Sequence, residues 1–312
     1  MKNQEISVVI PVHNEEVNVG ILHQRLTKVL NNIGKSYEII FIDDGSTDNT
    51  YKNLLKLNNV KIIKFRKNFG QTAAWSAGFE HAKGDIIITL DGDLQNDPED
   101  IPLLLKKLDE GYDVVSGWRI NRNDNFTKKI FSNMANCLRR VLLKDNIHDA
   151  GCSLKAYRKE CFEDIDLYGE MHRYIHAILR WKGFKIGEIK VSHHPRIYGK
   201  TKYSLARIFK GYIDLLNVLF WKKYSNRPLH LFGGIGILLG TFGFILGIVL
   251  LIARQFFNKP LSQSQLPLIA VLFFIVGIQF FISGLISDIM IKSYYGNEKI
   301  RKPYSIKEVI EK

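Results

Sequence analysis

The sequence predicts an α/β domain with a mainly parallel sheet, followed by two helices long and apolar enough to cross a membrane. In the first 120 residues, short apolar runs alternate with helix-like patterns, which is typical of parallel strands covered by helices on both faces. Near the other end, residues 231–253 carry no charge and residues 266–290 carry only Asp288. At 1.5 Å per residue, each run can cross a hydrocarbon core of about 30 Å. The alternative for these runs is a pair of buried helices in a soluble domain, which their length disfavours.

The first 120 residues divide into strands and helices in strict alternation. The predicted strands are 6–11, 37–42, 60–65 and 85–90, and the predicted helices are 16–31, 47–57 and 72–82. Ligands of such sheets bind at the carboxyl ends of the parallel strands. We therefore expect the functional residues in the loops that follow the strands.

The basic side chains are concentrated in two windows. Residues 119–144 and 196–227 contribute +6 and +7, which accounts for the formal net charge of +13. Such clustering predicts phosphate or anionic lipid as a partner, and we expect no nucleic acid. Within these windows, 205–221 and 126–144 have apolar and basic residues on opposite faces, which predicts helices lying at a membrane surface. Ordinary core-packing helices are the alternative for both.

Acidic side chains follow three of the predicted strands. They are Glu15 and Glu16 after the first strand, Asp43 and Asp44 after the second, and Asp91 and Asp93 after the fourth. Like charges gathered at one edge of a sheet are costly without a cation. Asp91 and Asp93 flank Gly92, so their carboxylates can face one Mg²⁺ or Mn²⁺ while the glycine lets a diphosphate approach closely. The pattern predicts a divalent cation that is shared with a diphosphate.

Two common phosphate-binding signatures are missing. The loop after the first strand reads Pro-Val-His-Asn-Glu at 11–15, where a dinucleotide-dependent oxidoreductase has G-x-G-x-x-G, and no Walker A sequence occurs. An acidic first loop repels a pyrophosphate and suits a base or ribose better. These observations disfavour an oxidoreductase or a P-loop NTPase.

Three sequence runs together carry a family resemblance. They are Val-Val-Ile-Pro-Val-His-Asn-Glu-Glu at 8–16, Asp-Asp-Gly-Ser-Thr-Asp at 43–48 and Asp-Gly-Asp-Leu-Gln at 91–95. In this order and spacing they resemble the family 2 glycosyltransferases of GT-A fold, and within that family the polyprenyl-phosphate glycosyltransferases, over nearly the entire chain. The resemblance implies a nucleotide-sugar donor, a divalent cation and a lipid-phosphate acceptor. It implies a nucleotide-sugar site formed by Pro11, Val12, Asn14, Glu15, Asp43, Asp44, Asp91 and Gln95, with Asp91, Asp93 and Gln95 around the metal.

A second set of residues is expected to hold the acceptor phosphate. Arg119 closes a strand-like segment at 113–117, and the loop 195–204 combines a glycine with three cations before a predicted helix. The phosphate-binding residues predicted here are Arg119, Arg196, Lys200, Lys202 and Ser204, of which Arg196 and Lys202 match the six-residue spacing in the family. For the lysines and arginines the alternative is solvated surface charge. The predicted catalytic residues are Asp149 and Asp93. Asp149 stands where related enzymes have an acid in the catalytic site, and its role as base, orienting group or helix cap stays open.

The expected reaction is an inverting sugar transfer. A phosphate monoester is largely dianionic at neutral pH, so it needs no strong general base to attack the anomeric carbon. The expected donors are UDP-glucose or UDP-N-acetylglucosamine, with GDP-mannose as an alternative. A processive polysaccharide synthase is the other enzyme alternative, but its Gln-x-x-Arg-Trp signature lacks the Gln at 177–181. A non-catalytic membrane scaffold would not require these acidic and basic residues together.

Basic residues flank both predicted spans and are sparse between them. This bias predicts a multi-pass protein of the cell membrane with both termini in the cytoplasm. Short membrane hairpins often associate, which suggests a homo-oligomer. The predicted division is a cytosolic GT-A domain over 1–203, an interfacial helix and linker over 204–228, a first span over 229–254, an external loop over 255–265, a second span over 266–291 and a basic cytosolic tail over 292–312.

Overall fold

The computed structural model describes residues 5–119, 147–163, 165, 167, 171–195, 220, 224, 227–257, 264–295 and 304–312. Apart from residue 220, the predicted amphipathic helices at 126–144 and 205–221 lie outside these residues. The chain forms two compact units: residues 1–218 together with 302–312, and residues 219–301.

Eight strands among the described residues form one mixed sheet in the first unit. They are β1 (Ile6–Val12), β2 (Tyr37–Asp43), β3 (Val60–Phe65), β4 (Ile86–Thr89), β5 (Val114–Arg119), β6 (Lys155–Arg158), β7 (Ile186–Val191) and β8 (Ile306–Glu311). Their spatial order is β7-β5-β6-β4-β1-β2-β3-β8. Only β6 and β8 run antiparallel to their neighbours. The predicted mainly parallel sheet is confirmed, with its four predicted strands adjacent at the centre.

Helices cover both faces of this sheet. The described α-helices are α1 (Asn18–Ile33), α2 (Thr50–Leu54), α3 (Gln71–His81), α4 (Ile101–Asp109) and α5 (Ile175–Trp181). One core places apolar residues of α1 and α4 against the sheet, and a second does the same with α3 and α5. Helix α2 is shorter than the predicted 47–57: it begins at Thr50, whose N–H donates to the Asp48 carboxylate, and it ends at Leu54. The double coverage explains why the central strands read as continuous apolar runs.

Strand β8 is a feature that the sequence analysis did not predict. It lies within the segment expected to be a basic tail, yet it pairs antiparallel with β3 from Lys61–Glu311 to Phe65–Ile306. Ile306 and Ile310 are half-buried, whereas Lys307, Glu308, Val309 and Glu311 are exposed, as suits a strand at the edge of a sheet. The sheet of the first unit is therefore completed by residues that follow both long apolar helices in the chain.

The second unit consists mainly of two long apolar helices, α6 (Pro228–Phe257) and α7 (Leu266–Tyr295). Their apolar spans, Pro228–Phe256 and Leu266–Met290, each contain an 18-residue stretch, with mean hydropathies of 2.7 and 2.6, in which most side chains are not buried within the protein. Both are long enough to cross a bilayer, as predicted. Helix α7 continues beyond the predicted end at residue 291.

Glycines bring α6 and α7 into backbone contact. A Cβ added to Gly236 would lie 2.6 Å from the Gly277 carbonyl oxygen, and one added to Gly277 would lie 2.4 Å from the Gly240 nitrogen. Gly243 meets the Ala270 carbonyl oxygen in the same way, at 2.6 Å. Small residues that permit such approach are the usual basis of helix association in membranes.

We expect Gly277→Ala to destabilise the pair of helices by about 2 kcal/mol, because the added methyl group forces the two backbones apart. Gly234→Ala is the matched control, since a Cβ there meets nothing within 4 Å. Melting of the full chain in detergent, followed by circular dichroism, measures both variants. Equal melting temperatures for the two would contradict the close packing.

Candidate active site

The predicted functional loops converge at one edge of the sheet. Strands β1, β2, β3, β4, β5 and β7 run in the same direction, so their carboxyl ends lie together. Strand β6 runs the other way, so the loop that precedes it, at 147–154, reaches the same edge. We call this edge the carboxyl edge; it is where α/β sheets bind ligands.

The loops after β1 and β2 are hydrogen-bonded to each other. Asn14, in the left-handed region at φ 58°, donates its N–H to the Ser46 hydroxyl at 3.0 Å, and its side-chain oxygen accepts the Thr47 N–H at 2.8 Å. The His13 Nδ1 lies 2.9 Å from the Asp44 carbonyl oxygen. Asparagine tolerates this backbone conformation better than most residues. The network holds the two loops together. We call these loops the nucleotide wall, because the family resemblance implies that they bind the nucleotide.

The other residues predicted to hold the nucleotide are part of the same wall. Val12 is 2% exposed and pairs in register with Asp43, and Pro11 precedes it in β1. Glu15 donates its backbone N–H to the Thr50 hydroxyl at 2.8 Å, which ties the first loop to the start of α2. The structure thus brings Pro11, Val12, Glu15 and Asp43 together on two adjacent strands.

Asp43 has a buried carboxylate that is only half satisfied. Its Oδ1 accepts the Ser46 N–H at 3.0 Å, whereas its Oδ2 is buried and receives no hydrogen bond from the described residues. A buried acceptor without a donor is costly and calls for a partner. Asp43 therefore supplies, at the carboxyl edge, a fully buried acceptor that no donor among the described residues satisfies.

Asp44 has a different role from its neighbour. Its two carboxylate oxygens accept the backbone N–H groups of Phe69 and Gly70 at 2.7 and 2.9 Å. Burial raises the pKa of Asp44 above its ordinary value, although these two hydrogen bonds oppose the shift. Asp44 thereby anchors the loop after β3 to the nucleotide wall.

Asp91 and Asp93, predicted as metal ligands, follow β4 in a tight turn with Leu94 at φ 62°. Asp91 is half-buried and its Oδ1 accepts the Gln71 side-chain amide at 2.6 Å. Asp93 is 7% exposed and its Oδ1 accepts the Gln95 N–H at 3.2 Å. A Cβ on the intervening Gly92 would lie 2.6 Å from Val12 Cγ1. The glycine lets this turn lie directly against the end of β1.

The donor set at this turn fits a divalent cation that is shared with a ligand. Among the described residues, no group of three or more His, Cys, Asp or Glu side chains could hold a metal. Two carboxylates with a glycine between them match a hard cation whose remaining ligands are phosphate oxygens and water. Asp91 and Asp93 can hold Mg²⁺ or Mn²⁺ in this way. Gln95, also predicted as a ligand, instead directs its amide nitrogen to the His194 carbonyl oxygen at 3.4 Å.

The turn after β4 is joined to the segment that leads into the predicted acceptor loop. His194 donates its N–H to the Gln95 carbonyl oxygen at 2.9 Å, and Asn96 forms a bridge with His193. The His194 Nε2 also lies 2.7 Å from Asp97 Oδ2. His193 and His194 are therefore hydrogen-bonded to residues 95–97, directly after the turn that carries Asp91 and Asp93. The predicted acceptor residues Arg196, Lys200, Lys202 and Ser204 lie outside the described residues.

Asp97 joins this contact to helix α1. Its Oδ1 accepts the Arg25 guanidinium at 2.7 Å while its Oδ2 faces His194. Burial works to raise the pKa of Asp97, but the Glu99 N–H, His194 and Arg25 outweigh burial and lower the pKa. An ionised Asp97 thus holds α1, the turn after β4 and residue 194 together.

Arg119 and Asp149, predicted to bind phosphate and to take part in catalysis, form a buried ion pair. The Arg119 Nε and Nη2 donate to the two Asp149 oxygens at 2.6 and 2.9 Å, and the side chains are 14% and 6% exposed. This pair raises the pKa of Arg119 despite burial. Glu188 on β7 accepts the N–H groups of His148 and Asp149 at 2.8 and 3.1 Å, which fixes the loop. The two residues act as one unit and not as separate groups.

Sequence reasoning missed Gln71 and the loop 66–71. The sequence did contain a basis for predicting this loop. The strand at 60–65 was predicted as a parallel strand, so the loop after it had to reach the carboxyl edge. Glu188 and Asp97 left no such signal, because their partners are distant in sequence and neither lies in a recognisable pattern. The nucleotide wall, the Asp91–Asp93 turn and the Arg119–Asp149 pair are nevertheless all at the edge that the sequence predicted.

The comparison with solved structures agrees with this fold. The chain is similar to mannosyl-3-phosphoglycerate synthase from Rubrobacter xylanophilus, with a TM-score of 0.59 and 13% identity over 70% of this chain and 75% of that one. It is also similar to glucosyl-3-phosphoglycerate synthase from Mycobacterium tuberculosis, crystallised with Mn²⁺ and UDP-glucose, with a TM-score of 0.55 and 16% identity over 70% and 79%. The predicted GT-A fold is confirmed.

Sequence relatives extend over almost the whole chain. Dodecaprenyl-phosphate galacturonate synthase from Rhizobium johnstonii is 36% identical over 307 residues, which cover 96% of this chain and 91% of that protein. Undecaprenyl-phosphate 4-deoxy-4-formamido-L-arabinose transferase from Proteus mirabilis is 36% identical over 315 residues, covering 99% and 95%. The family model for glycosyl transferase family 2 matches residues 7–166, the part that contains the nucleotide wall, the Asp91–Asp93 turn and Asp149. The chain is a glycosyltransferase and belongs to glycosyl transferase family 2.

Proposed function

We propose that this enzyme transfers one sugar from a nucleotide-sugar to a polyprenyl phosphate in the membrane. The observation that carries the proposal is the hydrogen bonding of His193 and His194 to residues 95–97, which directly follow the Asp91–Asp93 turn. The basic segment predicted to bind the acceptor phosphate begins two residues after His194 in the chain. The relatives named above are called dodecaprenyl- and undecaprenyl-phosphate transferases, and they align along the helices α6 and α7 as well. An acceptor that resides in a bilayer accounts for those helices.

On the donor side, the wall made by the loops after β1 and β2 would hold the nucleoside. Asp43 has a buried oxygen that lacks a donor among the described residues, and it lies beside Val12 at the end of β1. Asp91 and Asp93 would hold a divalent cation, which when bound neutralises charge on the leaving diphosphate. The Gln71 amide and the Gln95 N–H orient these two carboxylates. UDP is the nucleotide we favour, as the sequence analysis predicted.

On the acceptor side, the nucleophile is a phosphate oxygen of the lipid. It attacks the anomeric carbon as the bond from that carbon to the nucleoside diphosphate breaks, so an α-linked donor gives a β-linked product. Because the phosphate is already ionised, the reaction needs cations to offset charge more than it needs a base. Asp149 therefore serves to orient Arg119, because its two carboxylate oxygens accept hydrogen bonds from two nitrogens of the guanidinium. Arg196, Lys200, Lys202 and Ser204 would complete the phosphate site.

The sheet itself supports a topology with both ends of the chain on one side of the membrane. β8 follows α6 and α7 in the chain, yet it pairs with β3 in the sheet formed by the preceding residues. If α6 and α7 both cross the membrane, the chain returns to the side on which the preceding residues lie, whereas a single crossing would leave β8 on the opposite side. The basic residues that flank both spans favour the cytoplasm as that side. Anionic lipid at this surface and a homo-oligomer through the hairpin are further parts of the proposal.

The decisive experiment incubates membranes containing the full chain with undecaprenyl phosphate and a panel of labelled donors. The panel includes the UDP-linked forms of glucose, N-acetylglucosamine, galacturonate and 4-deoxy-4-formamido-L-arabinose, together with GDP-mannose. We expect one donor to give a lipid-linked product carrying a single sugar, and EDTA to abolish its formation. No lipid-linked product from any donor would refute the proposal, and a polymeric product would favour a processive synthase.

A further inference from the structure

The C-terminal strand lies against a loop of the donor site. We define the C-terminal strap as residues 304–311, which include β8. Tyr304 is 9% exposed, and its ring stacks on Phe65 at the carboxyl end of β3 with 5.2 Å between centroids. The Tyr304 hydroxyl donates to the Glu80 carboxylate at 2.6 Å. Tyr304 thus connects the end of β3 with helix α3.

The next residues continue this contact into the loop that follows β3. The Ser305 carbonyl oxygen accepts the Arg66 N–H at 3.1 Å. Phe65, on which Tyr304 stacks, also packs edge-on against Phe69 with 5.7 Å between centroids. The strap therefore supports the loop 66–71 from the side of the second apolar core.

The loop 66–71 in turn positions two acidic residues of the site. The N–H groups of Phe69 and Gly70 bind the Asp44 carboxylate, and the Gln71 amide binds Asp91. A Cβ on Gly45 would lie 2.4 Å from the Lys67 carbonyl carbon, so the loop is also pressed against the turn after β2. Displacement of the loop would move the partners of both Asp44 and Asp91.

We propose that Tyr304 is a positioning residue for donor binding, through which the chain that follows the apolar helices holds the loop 66–71 against Asp44 and Asp91. The inference rests on the proposed function in that it takes this edge as the donor site. It gives a role in substrate binding to a segment that the sequence analysis treated as a tail. Tyr304 acts through the loop and does not touch the donor.

The opposite end of the strap supplies a matched control. Glu311 pairs with Lys61 at 2.8 Å and with Lys83 at 3.2 Å, at the amino end of β3. That end lies away from the carboxyl edge, since β8 runs antiparallel to β3. Glu311→Gln weakens the docking of the strap without touching the loop 66–71. If the strap only stabilised the fold, changes at its two ends would affect UDP binding equally.

The test compares Tyr304→Ala, Tyr304→Phe and Glu311→Gln in the full chain. Binding of UDP with MnCl₂ is measured by calorimetry, and hydrogen exchange is measured for the peptide that contains residues 66–71. Donor and acceptor KM are measured with the donor that proves active. We expect Tyr304→Ala to weaken UDP binding and raise donor KM about tenfold, with acceptor KM unchanged and faster exchange in the loop. Tyr304→Phe keeps the ring stacking but loses the hydroxyl, and we expect its UDP affinity to fall about threefold.

The outcomes separate this inference from the proposed function. Glu311→Gln is expected to bind UDP as the wild type does, even if its melting temperature falls. Unchanged exchange in the loop 66–71 of Tyr304→Ala, or an equal loss of UDP binding in Glu311→Gln, would overturn the role of Tyr304. Absence of transfer by the wild-type chain would instead refute the proposed function, and hydrogen exchange would still test the strap.

Discussion

Replacing Asp93 with asparagine is expected to lower the rate of sugar transfer about a thousandfold. The substitution keeps the shape of the side chain, and the amide oxygen can still accept the Gln95 N–H. It removes the charge that would bind the cation, so the leaving diphosphate loses its main neutralising group. A thousandfold loss corresponds to about 4 kcal/mol of transition-state stabilisation, within the range of strong electrostatic contributions to catalysis.

The measurement that identifies the cause is UDP affinity with and without Mn²⁺. In the wild type, Mn²⁺ should strengthen UDP binding; in Asp93→Asn, that gain should disappear. Asp109→Asn is the control, because Asp109 is an exposed aspartate at the end of α4. Transfer by Asp93→Asn at the wild-type rate, or a rate that EDTA does not change in the wild type, would remove the cation from the mechanism.

The sequence was sufficient to predict the centre of the sheet because those strands are buried on both faces. Their apolar runs differ clearly from the helices between them, and β1 to β4 appear within a residue or two of their predicted positions. Parallel order then requires that Asp43, Asp44, Asp91 and Asp93 meet at one edge. The location of the candidate site follows from that rule alone.

Contacts between distant parts of the chain were not predictable from such patterns. Strand β8 reads Ile-Lys-Glu-Val-Ile-Glu, and its three charges suggest a solvated tail. Only the structure shows that this segment pairs with β3 at the edge of the sheet. Arg119 and Asp149 were predicted separately, since nothing in their spacing indicates that they bind each other. Their pairing depends on β5 and β6 lying side by side, which brings the loop before β6 to the end of β5.

The Arg119–Asp149 pair gives the second large expected effect, and its test must separate stability from chemistry. Removing one partner, as in Arg119→Met, leaves a buried charge uncompensated and is expected to destabilise the fold by about 3 kcal/mol. Asp149→Leu should have a similar cost, because the guanidinium is only 14% exposed. The double variant with both changes should recover most of that stability, since apolar pairs often replace buried ion pairs without loss.

Activity is expected to follow a different course in the same variants. If Asp149 holds Arg119 toward the acceptor phosphate, the double variant should melt near the wild-type temperature and still transfer sugar several hundredfold more slowly. Its UDP affinity should be unchanged, because the nucleotide wall and the Asp91–Asp93 turn are intact. A double variant with wild-type transfer would show that the pair only stabilises the fold. A recovery of stability without a recovery of transfer assigns the lost rate to the missing guanidinium, since the fold and the donor site are then the same in both proteins.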